Sequence, residues 1–240
     1  MIKKIIIFIL FLLITKASYA VTLTLPTTDG LVGYWPMNDI VGIQTQDMSG
    51  YGAHGTITGA IAGSGKQYNG LSFDGVDDYV DCGTGTHTTG IRTNLTVSMW
   101  AKYSRVTGES GGIENDVEGG PPDAWTLEVI SSVAKFYIKN TSGSISGVSG
   151  GTILANVWYN LTGVYNGANA KIFVNGLQTG IGTISGLINN PANLHIYIGK
   201  YFRFNGTIDE VRIYNRALSD QEILDIYNYD MAARSKITSK

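Results

Sequence analysis

The chain has 240 residues, 43% of them hydrophobic, and 17 Lys and Arg against 19 Asp and Glu give a net charge of −2. That weak acidity excludes a nucleic-acid-binding role, because phosphate recognition rests on clustered Lys and Arg. With 31 glycines, 5 prolines and one cysteine, the composition argues against a disulfide scaffold and for many short elements joined by tight turns.

The first segment reads as an export signal. Lys3 and Lys4 precede an apolar run from Ile5 to Ile14, and Ser18-Tyr19-Ala20 supplies the small residues of a cleavage site. A run of that length falls short of the ~20 residues a membrane-spanning helix needs. Residues 1–20 are therefore expected to be a signal peptide, and the protein to be secreted. No later run spans a bilayer, so the mature chain is expected to carry no membrane span. Removing Lys3, Lys4 and Lys16 leaves 14 basic residues against 19 acidic ones.

Short β-branched and aromatic runs then alternate with glycine-rich turns. Strands are predicted at 31–37, 70–73, 79–82, 95–103, 125–131, 134–139, 158–165, 170–174, 194–199 and 207–214. Asp74-Gly75, Asn166-Gly167 and Asn175-Gly176 mark turns between them. Ala134, Phe136 and Ile138 share one face while Lys135, Tyr137 and Lys139 share the other. Strands with one apolar face must press it on a second sheet, so an all-β, two-sheet antiparallel sandwich is predicted. Cys82 falls within one strand and reads as a buried structural thiol. One helix closes the chain: Ser219 and Glu222 form a capping box ahead of Ile223, Leu224, Ile226 and Tyr227. A single domain over 21–230 and a flexible polar tail over 231–240 complete the organisation.

Ordered blocks of this sequence resemble a known family. They are Gly30-Leu31-Val32-Gly33-Tyr34-Trp35, Asp47-Met48-Ser49-Gly50-Tyr51-Gly52, Leu71-Ser72-Phe73-Asp74-Gly75, Leu95-Thr96-Val97-Ser98-Met99-Trp100 and Gly206-Thr207-Ile208-Asp209-Glu210-Val211-Arg212-Ile213-Tyr214. In this order they are similar to the laminin G-like jelly-roll domains of the concanavalin A-like lectin/glucanase superfamily, over roughly residues 30–228. The resemblance implies a jelly-roll sandwich and a binding role toward carbohydrate or an extracellular partner. It also implies a structural Ca²⁺ held by Asp47 and Asp209, with glycine-rich backbone carbonyls nearby. Against this stands the plainer reading that Asp47 bonds its own turn and Asp209 pairs with Arg212 or a backbone amide.

Two further patterns carry chemistry. Glu114, Asp116 and Glu118 have the Glu-x-Asp-x-Glu spacing of retaining β-glucanases of this fold, and on a strand they would share one face. Their glycine-rich flanks suggest a loop with a solvated acidic surface instead. For ligand contact, Trp125, Tyr201 and Arg203 are the candidates, because aromatic rings stack on sugar faces and Arg recognises hydroxyl or carboxylate groups. Trp100, Tyr137, Phe173 and Tyr197 lie off the core parity of their strands. They form either an open ligand platform or a second buried layer. Trp35 and Trp158 are assigned to the core. The expected function is a non-catalytic, lectin-like or adhesion module whose partner is a glycan or a cell-surface protein.

Overall fold

A computed structural model describes residues 24–84, 88, 90–117 and 123–235. The proposed signal segment 1–20, Glu118 and the last five residues of the expected tail lie outside these. Seventeen strands and one helix follow in chain order. The first seven strands are β1 (Leu31–Trp35), β2 (Ile40–Val41), β3 (Gln44–Thr45), β4 (Gly55–Thr58), β5 (Ile61–Ser64), β6 (Asn69–Asp74) and β7 (Tyr79–Asp81). The middle of the chain supplies β8 (Leu95–Tyr103), β9 (Glu109–Asp116), β10 (Trp125–Ile130), β11 (Val133–Lys139) and β12 (Ile145–Thr152). Last come β13 (Trp158–Tyr165), β14 (Asn169–Val174), β15 (Leu177–Thr183), β16 (His195–Ile198), β17 (Asn205–Tyr214) and α1 (Asp220–Ser235).

The strands form two antiparallel sheets, as the alternation requires. An eight-stranded sheet runs β15-β14-β13-β8-β17-β6-β5, with β1 also paired to β17, and a nine-stranded sheet runs β12-β11-β10-β9-β16-β7-β4-β3-β2. The β1–β17 pairing sets Trp35 opposite Val211 and so brings the start and the end of the sandwich side by side. Between the sheets lies one continuous core that includes Trp35, Leu71, Met99, Leu127, Phe136, Ile172 and Val211. Strand β11 shows the logic plainly: Ala134, Phe136 and Ile138 are fully buried and the residues between them are half-buried. Cys82 is buried in the same core, and burial raises its thiol well above the ordinary range.

The β14–β15 hairpin turns on Asn175 and Gly176 with φ of 54° and 77°. Two consecutive positive φ values define the type I′ geometry that matches strand twist, and Asn-Gly is the pair that tolerates it.

The helix covers the outer face of the eight-stranded sheet. Ser219 Oγ accepts the Glu222 amide at 3.3 Å while Glu222 Oε2 accepts the Ser219 amide at 2.8 Å, the reciprocal capping box expected from the sequence. Val164, Phe173, Tyr214, Leu218, Ile223 and Ile226 form a second apolar cluster beneath the helix. Trp100 stacks on Tyr227 with ring centroids 5.6 Å apart. Trp100 and Phe173 are thus a second buried layer rather than a ligand platform. Two expectations need correction here. Trp158 is only half-buried, with the Lys102 ammonium over its ring at 5.4 Å. The segment from Met231 continues the helix to Ser235 instead of starting a loose tail, because Asp230 is pinned to the sheet.

That pinning centres on Arg212. Its guanidinium is bidentate to Asp230, at 2.9 and 3.0 Å, and also meets Glu210. Tyr34 donates to Glu210, while Trp100 Nε1 and Gln67 Nε2 both donate to Asp230. A bulge makes this possible. Glu210 has φ of 53°, and the β8–β17 register slips between Asp209 and Arg212, inserting one residue. Simple alternation would send Asp209 into the core with Val211 and Ile213.

Candidate functional site

The outer face of the nine-stranded sheet differs from its counterpart because a loop, not a helix, covers it. Period 2 places Glu114 and Asp116 of β9 on this face, beside Tyr197 and His195 of β16, to which they are directly paired. Thr126 and Glu128 of β10 continue the row, with Thr126 opposite Glu114. On the far side, Asp81 of β7 pairs with Tyr197 and meets His195 Nδ1 at 2.8 Å.

Residues 199–204, between β16 and β17, fold back over this row. The Tyr201 amide donates to Glu114 Oε1 at 2.7 Å, and the loop closes on itself through Phe204 N to Gly199 O at 3.0 Å. Phe204 enters the core against Tyr103 and Phe73, anchoring the end of the loop. A Cβ at Gly111 would lie 1.8 Å from the Tyr201 carbonyl oxygen, so the close approach of loop and strand requires glycine there. Phe202 and Arg203 take φ of 53° and 47°, a left-handed pair of non-glycine residues. Backbone held in that region costs ~1–3 kcal/mol per residue and persists where surrounding contacts impose it.

Between this loop and the β8–β9 connection lies a cleft of about 740 Å³, lined by Arg105, Glu109, Lys200, Tyr201, Phe202 and Arg203 among others. Tyr201 and Phe202 are half-exposed with ring centroids 3.8 Å apart, and Arg203 is exposed. A smaller recess of about 210 Å³, lined by Asp77, Asp78, Tyr79, Lys200 and Arg203, adjoins the other flank. Lys200 serves both, its ammonium 3.8 Å from the Tyr197 ring and 4.9 Å from that of Tyr79.

Beneath the loop sit carboxyl groups that water cannot reach. Burial pushes Glu114 well above the usual glutamate range, against the opposing pull of the Tyr201 amide, and Asp116 and Glu128 add to the rise. Burial, and then Glu109, push Glu128 up to about 7, and its Oε2 has no hydrogen-bond partner. A pair of carboxyl groups can cleave a glycosidic bond only where both reach a substrate. Here Glu114 and Asp116 are each 2% exposed and Glu114 is roofed by Tyr201, so the strand places these two members of the motif on one face but closes them off.

The other expected site residues separate clearly. Tyr201 and Arg203 line the cleft. Trp125 does not: it is 1% exposed and points into the core, because it shares the parity of Leu127 and Val129 on β10. Asp47 serves its own turn. Its oxygens accept the Tyr34, Ser49 and Ala53 amides and the Ser49 hydroxyl, at 2.8 to 3.0 Å. Asp209, fully buried, accepts the Gln67 and Glu210 amides, and burial pushes it up to about 8. The oxygens of Asp47 are taken by donors of its own turn and those of Asp209 by backbone amides, and no bonding partner is shared between them. A Ca²⁺ ion, which asks for several converging oxygen ligands, would have to displace these donors. Sequence reasoning passed over Arg105, Glu109 and Glu128. Only Glu128 had a signal, its alternation with Trp125, Leu127 and Val129.

Comparison with known proteins agrees with this architecture. The chain is 25% identical to botulinum neurotoxin type X of Clostridium botulinum over 143 residues, 57% of this chain and 11% of the toxin. It is 25% identical to human usherin over 153 residues, 59% of this chain and 3% of usherin. The binding domain of Paraclostridial Mosquitocidal Protein 1 superposes with a TM-score of 0.65 at 18% identity, covering 84% of this chain and 52% of that structure. At that identity the structural likeness is one of fold. The chain spans about half of that structure and a small part of each of the two sequence relatives. Among the described residues no helix is long and apolar enough to cross a membrane. Residues 74–224 match the Laminin_G_3 family model, and the chain belongs to the concanavalin A-like lectin/glucanases superfamily.

Proposed function

We propose that the protein is a secreted, non-catalytic binding module that recognises a glycan at a cell surface or in the extracellular space. The observation that carries this reading is the cleft beside residues 199–204. It is concave and within the usual size range of ligand sites, and it combines a half-exposed aromatic pair with Arg105, Lys200 and Arg203 on a loop held rigid by its own contacts. Sealed carboxyl groups beneath the loop favour binding over hydrolysis. The relatives whose names describe a function, the toxin binding domains, support the same direction.

A glycan array probed with the intact protein and with a Tyr201→Ala, Phe202→Ala double variant tests this. Binding that falls at least tenfold in the variant, with an unchanged melting temperature, is the expected result. Equal binding by both proteins would remove the cleft from the account. A second reading, docking of a protein surface, is favoured by the groove at the β2–β5 edge, where Ile43 and Ile61 are each 68% exposed beside Ile40 and Ile57. Binding to glycan-stripped cells would select it.

A further inference from the structure

We propose that the cleft beside residues 199–204 selects saccharides that carry a carboxylate, which Arg105 and Arg203 grip while Tyr201 and Phe202 contact the apolar face of the sugar ring. This rests on the glycan reading above and narrows it to a ligand class.

The charge distribution carries the inference. The chain as a whole is net negative, at −2. Yet the cleft gathers Arg105, Lys200 and Arg203 against the single exposed carboxylate of Glu109. None of these three cations forms an ion pair with a described residue. By contrast Arg212, Arg216, Lys139 and Lys171 each meet a carboxylate within 3.1 Å. Those four are thus neutralised by carboxylates of the fold, whereas the cleft cations are not, although Lys200 and Arg203 also border the recess that holds Asp77 and Asp78.

The floor cancels this charge only in part. Glu114 and Glu128 lie buried below the loop; burial favours the neutral form of Glu114, while Glu128, pushed up to about 7, is about half ionised at neutral pH. The positive field at the cleft mouth therefore acts on whatever enters. A carboxylate suits a guanidinium better than a hydroxyl does, because the planar fork offers two parallel N–H donors to its two oxygens. Neutral sugars would leave both forks bonded only to water. The half-exposed Tyr201 and Phe202 rings supply the apolar contact that a simple anion could not use, which is why a saccharide acid is favoured over an inorganic anion.

The test uses the intact protein on a panel of sialylated, uronate-containing, sulfated and neutral oligosaccharides at pH 7 and physiological salt. Carboxylated members should bind, and converting their carboxylates to methyl esters should weaken binding at least tenfold. Arg203→Gln and Arg105→Gln should each reproduce that loss while leaving the melting temperature unchanged. Binding confined to neutral members and indifferent to both variants would overturn the inference and leave the glycan reading standing. Sulfated members binding equally well whatever their backbone would overturn it in favour of unselective polyanion attraction. A panel with no ligand at all would remove the glycan reading, and this inference with it.

Discussion

The two outer faces of the sandwich bury carboxyl groups in opposite ways. On the eight-stranded sheet, Glu210 and Asp230 share the Arg212 guanidinium, and Tyr34, Trp100 and Gln67 complete their bonding. On the nine-stranded sheet, Glu114 and Glu128 face other carboxyl groups, and one Glu128 oxygen is unbonded. The nearby cations, Lys200 and Arg203, line the cleft and form no ion pair with either. The first face fastens an element of structure. The second leaves polar capacity unused within the protein, a pattern that marks functional surfaces more often than structural ones.

The sharpest test of that contrast removes the fastening. Asp230→Ala leaves Arg212 buried with an incomplete set of partners, and loss of one member of a buried pair costs about 3–5 kcal/mol. Denaturant unfolding should show a loss of that size, with α1 detached from the sheet. A loss below about 1 kcal/mol would mean that the helix is held by its apolar cluster alone.

On the other face, the effect should depend on pH. Glu128 has a folded pKa of about 7, above its ordinary 4.5, so its contribution is fully present below about pH 4.5 and is lost as pH rises through 7. Glu128→Gln should therefore stabilise the protein at pH 8, by on the order of 1–3 kcal/mol, and flatten the decline between pH 4.5 and 8. Asp209, pushed up to about 8, contributes a decline of the same sign that the variant leaves in place. An unchanged pH profile would show that water reaches Glu128 and that the face is less closed than its geometry indicates.

Smaller effects refine the same picture. Ser219→Ala removes one half of the capping box and should cost about 1 kcal/mol by thermal unfolding, well below the loss from Asp230→Ala. Addition of Ca²⁺ to chelated protein should leave the melting temperature where it was, since the oxygens of Asp47 are taken by its own turn and those of Asp209 by backbone amides. A rise with Ca²⁺ would show that these carboxyl groups rearrange around an ion.

Much of the fold was legible because its signals are local. The alternation of β11 and the Asn175-Gly176 turn each follow from a few adjacent residues, and the Ser219–Glu222 cap does too. The cleft was half legible. Tyr201 and Arg203 stood out as an aromatic and a cation ahead of the last strand. Arg105 and Glu109 come from the connection that carries the chain from β8 in one sheet to β9 in the other, which has no distinguishing pattern, and they matter only because the 199–204 loop folds beside them. Trp125 misled because its place after a glycine-rich stretch suggested a loop, whereas its strand parity put it in the core.

Residue spacing by itself determined the two-sheet sandwich, the start of the helix and the separation of apolar from polar faces, since each depends on repeats of two or on contacts a few residues apart. Only the tertiary structure decided which polar face was roofed, where Asp209 pointed and how far the helix ran. Those outcomes hang on partners distant in the chain, such as Tyr201 over Glu114 and Asp230 on Arg212, and on a one-residue bulge at Glu210 that reverses the local parity. No periodic signal encodes such meetings.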